Sequence, residues 1–287
     1  MATAETLQAE ARERPRMAIV AVVAAVFTLL GSLVGRIAAG SPPSNLPAAL
    51  LFYHQHQVSQ YASAACSVIG AIAIAFVLDF LYRATRARNP ELPRQLRPLP
   101  FVGGFGVAIF TLGYQIALAV DVNHFTTHGS QTYEEARKAV DAGVPPLLGL
   151  VVQLALALAI VLISINAMRV GLLTRFLGYL GVISGALFVL AFVPIPIVQV
   201  YWLGALAMLF LGRSPSGTPP AWQSGEAMPW PSPAEMREQR VREAEARRGG
   251  GDVVEGEPAS SAGGEPAGSG AGASESAGSR RKRKKRR

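Results

Sequence analysis

The sequence predicts an all-α protein: a bundle of six transmembrane helices followed by a disordered cytoplasmic C-terminal tail. Three observations predict it. Half of the 287 residues are apolar and only 16% are charged, against about 25% charged residues in a soluble domain. Residues 17–35 and 144–166 are charge-free and mostly apolar, a pattern of membrane-span length that excludes an ordinary water-soluble globule. Basic residues, finally, alternate from one inter-span segment to the next. The apolar runs lack the period-two alternation of barrel strands, so helices are the expected element.

Six apolar segments cover roughly 17–39, 58–82, 100–121, 145–167, 176–193 and 196–212. At a rise of about 1.5 Å per residue they reach about 25–35 Å, the last two being short. The first follows a basic N-terminal stretch, residues 1–16. Its apolar run from Met17 to Val34 exceeds the roughly 7–15 residues of a signal-peptide core, so it is expected to be an uncleaved anchor. Lys and Arg counts set the orientation. Arg12, Arg14 and Arg16, then Arg83, Arg86, Arg88, Arg94 and Arg97, then Arg169 and Arg175, then the region from Arg213 onward hold 24 of the 27 basic residues. The alternate loops hold only Arg36, Arg137 and Lys138. Both termini are therefore expected on the cytoplasmic side of a plasma membrane.

The loops carry their own signals. LPAALLFYHQHQ, residues 46–57, reads as a short interfacial helix or an early start to the second span. Thr132 followed by Glu135 is a capping box, so 133–141 is expected to be a short surface helix. Pro194-Ile195-Pro196 predicts a tight turn and an antiparallel hairpin of the last two spans. Residues 213–248 form a juxtamembrane segment in which Trp222 and Trp230 are expected at headgroup level. Within it, Ser232-Pro233-Ala234-Glu235 starts a charged helix running to about Arg248. Residues 249–279, rich in Gly, Ala, Ser and Glu, are too poor in apolar surface to fold.

The chain's net charge of +8 comes from its end. Arg280, Arg281, Lys282, Arg283, Lys284, Lys285, Arg286 and Arg287 are all basic, and the rest is near neutral. Such a run is expected to contact anionic lipid or another polyanion, at about 1 kcal/mol per basic residue near a membrane; the plain alternative is a solvated run that enforces orientation.

Polar groups inside or beside the spans are few. His54, His56, His124 and His128 all fall on the external side. HxH and HxxxH spacing suits a metal, the alternative being polar decoration of the interface. Gln115, Gln153 and Gln199 share the outer half with Cys66, which predicts either an outward-facing polar cavity or hydrogen bonds between helices. Asp79 and Arg83 form an i,i+4 pair near the inner end of span two. Ser63, Ser67, Ala71 and Ala75 continue that face as a close-packing stripe, like Gly31-x-x-x-Gly35 and Gly181-x-x-x-Gly185. Gly103-Gly104-Phe105-Gly106 lacks the GK[ST] ending of a phosphate loop. The lone Cys66 rules out an intrachain disulfide and a Cys-rich metal site. No nucleophile elbow, kinase or ATPase signature is present, so an enzyme is disfavoured and no cofactor is expected.

NAMRVGLLTRFLGYLGVISGALFVL (166–190) and GTPPAWQSGEAMPWPS (217–232) resemble uncharacterised multi-span membrane proteins of high-G/C bacteria. Arg outnumbering Lys 23 to 4 fits such a codon bias. The resemblance implies a bacterial plasma-membrane protein and carries no activity. The leading expectation is a non-enzymatic scaffold or interaction module with a lipid-contacting tail and an unknown protein partner. A small-solute transporter or ligand receptor built on the glutamines is the alternative. A second alternative is an extracytoplasmic metal or haem protein built on the histidines.

Overall fold

The computed structural model describes residues 4–40, 43–128, 130–141, 146–190, 196–214 and 217–230, together with 235, 237–238 and 241–243. The described residues form helices and connecting turns, with no strand. The chain divides into two units, Met1–Pro231 and Ser232–Arg287. In the second unit, residues 235, 237–238 and 241–243 are helical. The Ser232 cap, the rest of the charged helix, the spacer and the basic run 280–287 lie outside the described residues.

In the first unit, α1 (Ala4–Ala39), α3 (Gln57–Arg88), α4 (Leu99–Thr127) and α6 (Pro146–Arg169) are the long elements. These four are long and apolar enough to cross a membrane. α7 (Arg175–Leu190) and α8 (Ile197–Phe210) have 16 and 14 residues. That is about 24 and 21 Å of helix, short of the roughly 30 Å hydrocarbon core. The Pro194-Ile195 part of the turn expected between them lies outside the described residues. Short helices α2 (Leu46–Gln55), α5 (Tyr133–Asp141) and α9 (Ala221–Ser224) complete the set.

The six larger helices close into a ring. α1 packs on α3, α3 on α4, α4 on α6, α6 on α7, α7 on α8, and α8 returns to α1, while α3 and α6 also touch across the middle. Small residues permit the close approaches. A Cβ on Gly31 would meet Ser67 of α3 at 2.4 Å, and one on Gly181 would meet Ser164 of α6 at 2.2 Å. Both GxxxG pairs thus face neighbours within the chain. The Gly103–Gly106 run does likewise: a Cβ on Gly103 would stand 2.4 Å from the backbone nitrogen of Leu156, and one on Gly104 would stand 2.7 Å from Ala75. The outward faces are apolar. Ile19 and Val22 on α1, Ile109 and Ile116 on α4, Leu147 and Leu154 on α6, and Phe176 and Ile183 on α7 are all exposed, a surface suited to lipid.

One end of the ring gathers arginines and is closed by two segments that the sequence placed outside the spans. α1 begins at Ala4, thirteen residues before the expected span, and continues through Pro15 without ending. Its added turns dock by charge: Glu10 pairs with Arg88 at 2.9 Å, and Glu13 with Arg83 at 2.7 Å. From the other side, residues 217–230 fold back onto the α6–α7 connection. Met228 N–H donates to Val170 O (3.1 Å), Trp222 Nε1 to Leu172 O (2.9 Å) and Trp230 Nε1 to Leu173 O (2.8 Å). Trp222 is therefore in the core, 5% exposed, stacked 6.0 Å from Phe80. A carbonyl acceptor for its N–H makes full burial of the ring favourable.

At the opposite end α2 is a separate helix, broken from α3 at His56. It joins α4 and α5 in a small cluster of Leu50, Leu118, Val122, Phe125, Ala136 and Ala139. Of the capping box expected at α5 one half is present, Glu135 N–H reaching Thr132 Oγ1 at a long 3.5 Å, while Glu135 Oε2 has no hydrogen-bond partner among the described residues.

Candidate functional site

A cavity of 270 Å³ lies on the axis of the ring, in the half away from the arginine-rich end. α1 supplies Thr28, Gly31 and Ser32; α3 supplies Ser67, Ala71 and Ile74; α7 supplies Ser184 and Phe188; α8 supplies Gln199. Val107 of α4 and Leu156 of α6 also line it. The wall is mainly apolar, with a few hydroxyls and one carboxamide. Local geometry explains the hydroxyls: Ser67 Oγ donates to Ser63 O one turn back (2.9 Å) and Ser32 Oγ to Leu29 O (2.8 Å), so both are satisfied by their own helices.

Two groups are not satisfied in this way. Gln199 is 4% exposed and Ser184 1%. Neither the Gln199 Nε2 nor the Ser184 Oγ has a hydrogen-bond partner within the protein. A buried donor left unpaired costs about 1–3 kcal/mol, so native buried polar groups are nearly always paired with protein, water or ligand. A Gln at the first turn of α8 that spends that energy is a polar handle in an apolar chamber. Among the described residues no ionised side chain lines the cavity.

The three glutamines do not converge. Gln199 lines the axial cavity; Gln115 and Gln153 do not. Gln115, on α4, accepts a hydrogen bond from the Tyr53 hydroxyl of α2. Gln153 is half-buried on α6. Cys66 is a half-buried free thiol. Thr28, Ser32 and Ser184 were not singled out by sequence reasoning; their only signal was a small polar residue beside a packing glycine.

The histidines lie at the end of the bundle away from the arginines, His54 in α2, His56 between α2 and α3, His124 in the last turn of α4 and His128 just after it. His56 Nδ1 donates to Phe52 O (2.9 Å) and Gln57 Nε2 donates to His54 Nδ1 (3.1 Å). His128 Nδ1 lies 2.6 Å from Thr127 Oγ1, and its ring stacks 5.6 Å from that of His124. Among the described residues no three His, Cys, Asp or Glu side chains come together as a metal would need. The Asp79–Arg83 pair forms at 2.9 Å.

The burial of Tyr53 has a measurable signature. Burial, with the phenols of Tyr61 and Tyr114 nearby, pushes the Tyr53 hydroxyl up to about 12, from about 10 in a free tyrosine. Between those values the folded chain holds a proton that the unfolded chain releases. The stabilisation is therefore full below about pH 10 and is lost as pH rises through about 12. A tyrosinate absorbance titration should contain a phase near pH 12 that Tyr53→Phe removes. Its persistence in that variant would mean that Tyr53 is not the buried phenol.

Comparison of the chain with protein-family models, with curated proteins and with solved structures gives no match.

Proposed function

We propose that the protein is a multi-pass plasma-membrane protein that holds a small neutral solute or ligand in the axial cavity, with both termini cytoplasmic. The observation that carries the reading is the buried, unpartnered Gln199 Nε2 at the cavity wall, joined by the Ser184 hydroxyl. The chamber's 270 Å³ falls just below the roughly 300–1,000 Å³ of small-molecule sites. Its chemistry favours a molecule with an apolar body and one acceptor for the amide. An ion would have no opposite charge to meet.

The orientation does not depend on whether α7 and α8 cross the bilayer or turn back within it. A pair that crosses and a pair that re-enters both return the chain to the same side, so the clustering of arginines on that side supports inner termini in either case. A non-helical turn at membrane depth is tolerated where it is buried in protein or lines a cavity, and Pro196 lines this one.

Gln199→Leu tests the reading. Replacing an unpaired amide by an apolar group of similar volume should leave the unliganded protein as stable as before, or up to about 1–2 kcal/mol more so. The same change should abolish the thermal shift given by whichever small amides and alcohols stabilise the parent protein, and slow glycerol or urea flux into proteoliposomes if the site conducts. A parent protein stabilised by none of these compounds and passing neither solute, or a variant that responds as the parent does, would overturn the proposal.

A further inference from the structure

At the arginine-rich end a second recess, of 640 Å³, is lined by Tyr82, Arg83, Arg86, Ala87, Arg94 and Arg97. It exists because the connection after α3 folds back on that helix. Tyr82 Oη donates to Pro93 O (3.1 Å), Leu92 is buried, and a single 3₁₀ turn at Arg94–Leu96 brings Arg94 and Arg97 opposite the last turns of α3.

The charges in this recess are unequally matched. Arg83 is occupied: its Nε meets Asp79 at 2.9 Å and its two terminal nitrogens meet Glu13 at 3.0 and 2.7 Å. Arg97 reaches Asp79 at only 4.0 Å and its side chain is 64% exposed. Arg86 donates to the Tyr82 hydroxyl, a neutral partner (3.1 Å). Among the described residues no ion pair reaches Arg86 or Arg94. Four guanidinium groups thus share two carboxylates, and the recess is left with an excess of positive charge that favours an anion.

The surface beside the recess identifies the kind of anion. Phe76 lies seven residues before Arg83, two turns along the same face of α3 and about 10 Å deeper. It is 44% exposed and packs edge-on against Phe101 (5.8 Å) and Phe105 (6.3 Å) at the start of α4. A basic recess and an exposed aromatic face therefore lie on one side of α3, about two turns apart along it. A soluble anion would use the first and have no use for the second.

We propose that this recess binds the phosphate of an anionic phospholipid of the adjoining leaflet. Arg86 and Arg94 hold the headgroup, Arg97 screens it from water, and the acyl chains lie along Phe76 and Phe105. The proposal rests on membrane embedding, which the four long apolar helices support, and is independent of the axial cavity. It is separate from any contact made by residues 280–287.

The test uses the full chain, purified in detergent and stripped of lipid. Cardiolipin, phosphatidylglycerol or phosphatidylcholine is then added, with bound lipid counted by native mass spectrometry and thermal shift measured in parallel. The expected result is retention of the two anionic lipids over phosphatidylcholine. The double variant Arg86→Gln/Arg94→Gln should weaken it about fivefold per charge, about twenty-five-fold together, while Arg86→Lys/Arg94→Lys retains most of it. Equal binding of phosphatidylcholine would overturn the proposal. So would undiminished anionic-lipid binding in the Gln variant, or its loss only when residues 280–287 are neutralised. Protection by inorganic phosphate or glycerol 3-phosphate at millimolar concentration, lost in the Gln variant but with no preference among lipids, would assign the recess to a soluble phosphate instead.

Discussion

Glu10→Ala is expected to cost about 3–5 kcal/mol of stability, the loss typical when one partner of a buried ion pair is removed, read as a lowered denaturation midpoint in detergent. The Arg88 side chain has no exposed surface. Its donors go to Ala221 O (2.8 Å), Ala84 O (2.8 Å) and both oxygens of Glu10 (3.0 and 2.9 Å), and its guanidinium lies 5.4 Å from the Trp222 ring centre. Glu10 supplies the only negative charge in that set. Without it a full positive charge stays in the core, bonded to carbonyl dipoles alone. Glu13→Ala provides the comparison on the same helix. Its partner Arg83 is 42% exposed and keeps Asp79, so the loss should be about 0–1 kcal/mol. Replacing both buried partners, Glu10→Leu with Arg88→Met, should recover most of the loss, because two apolar groups leave no charge stranded. Equal effects for Glu10→Ala and Glu13→Ala would show that the Arg88 site is hydrated and that the first turns of α1 do not close the bundle. Protease cleavage should report the same event, with Arg12 and Arg14 becoming cut sites in Glu10→Ala and not in Glu13→Ala.

That pairing also marks where sequence reading stopped. Four long apolar segments were legible because length and lack of charge need no knowledge of neighbours. So were the Thr132 cap and the Asp79–Arg83 pair, which are local. Residues 4–16 read as a charged extension, since nothing in them says that Arg83 and Arg88, some seventy residues on, stand ready for Glu13 and Glu10. The burial of Trp222 was not legible because its partner is a main-chain carbonyl at Leu172, fifty residues away, and a carbonyl leaves no mark in a sequence. The glutamines show a third limit. Their depths follow from the rise per residue, but the side of the helix on which each lies does not. Both faces of a bundle helix in lipid are apolar, so hydrophobic periodicity points nowhere. Only packing distinguishes Gln115, turned to Tyr53, from Gln199, turned to the axis.

Packing also sets the second large expectation. Gly103→Ala should destabilise the bundle by about 1–3 kcal/mol, and Gly103→Val by more. The added Cβ would stand 2.4 Å from the Leu156 nitrogen and 2.5 Å from its Cα. Those atoms belong to the backbone of α6, so no rotamer change relieves the overlap; α4 and α6 must separate. Leu156 and Val107, which lies one turn on from Gly103, both line the axial cavity, so the separation would also alter its wall. Gly113, farther along α4, has nothing within 4 Å of the position its Cβ would take. There alanine should be neutral or stabilising by up to about 1 kcal/mol, through helix propensity alone. Two identical substitutions ten residues apart on one helix thus carry opposite expected signs. A shared propensity effect cannot give that difference, whereas contact between helices must. If Gly103→Ala and Gly113→Ala move the unfolding midpoint alike, α4 and α6 do not approach this closely, and the closed ring that encloses Gln199 is wrong at that contact.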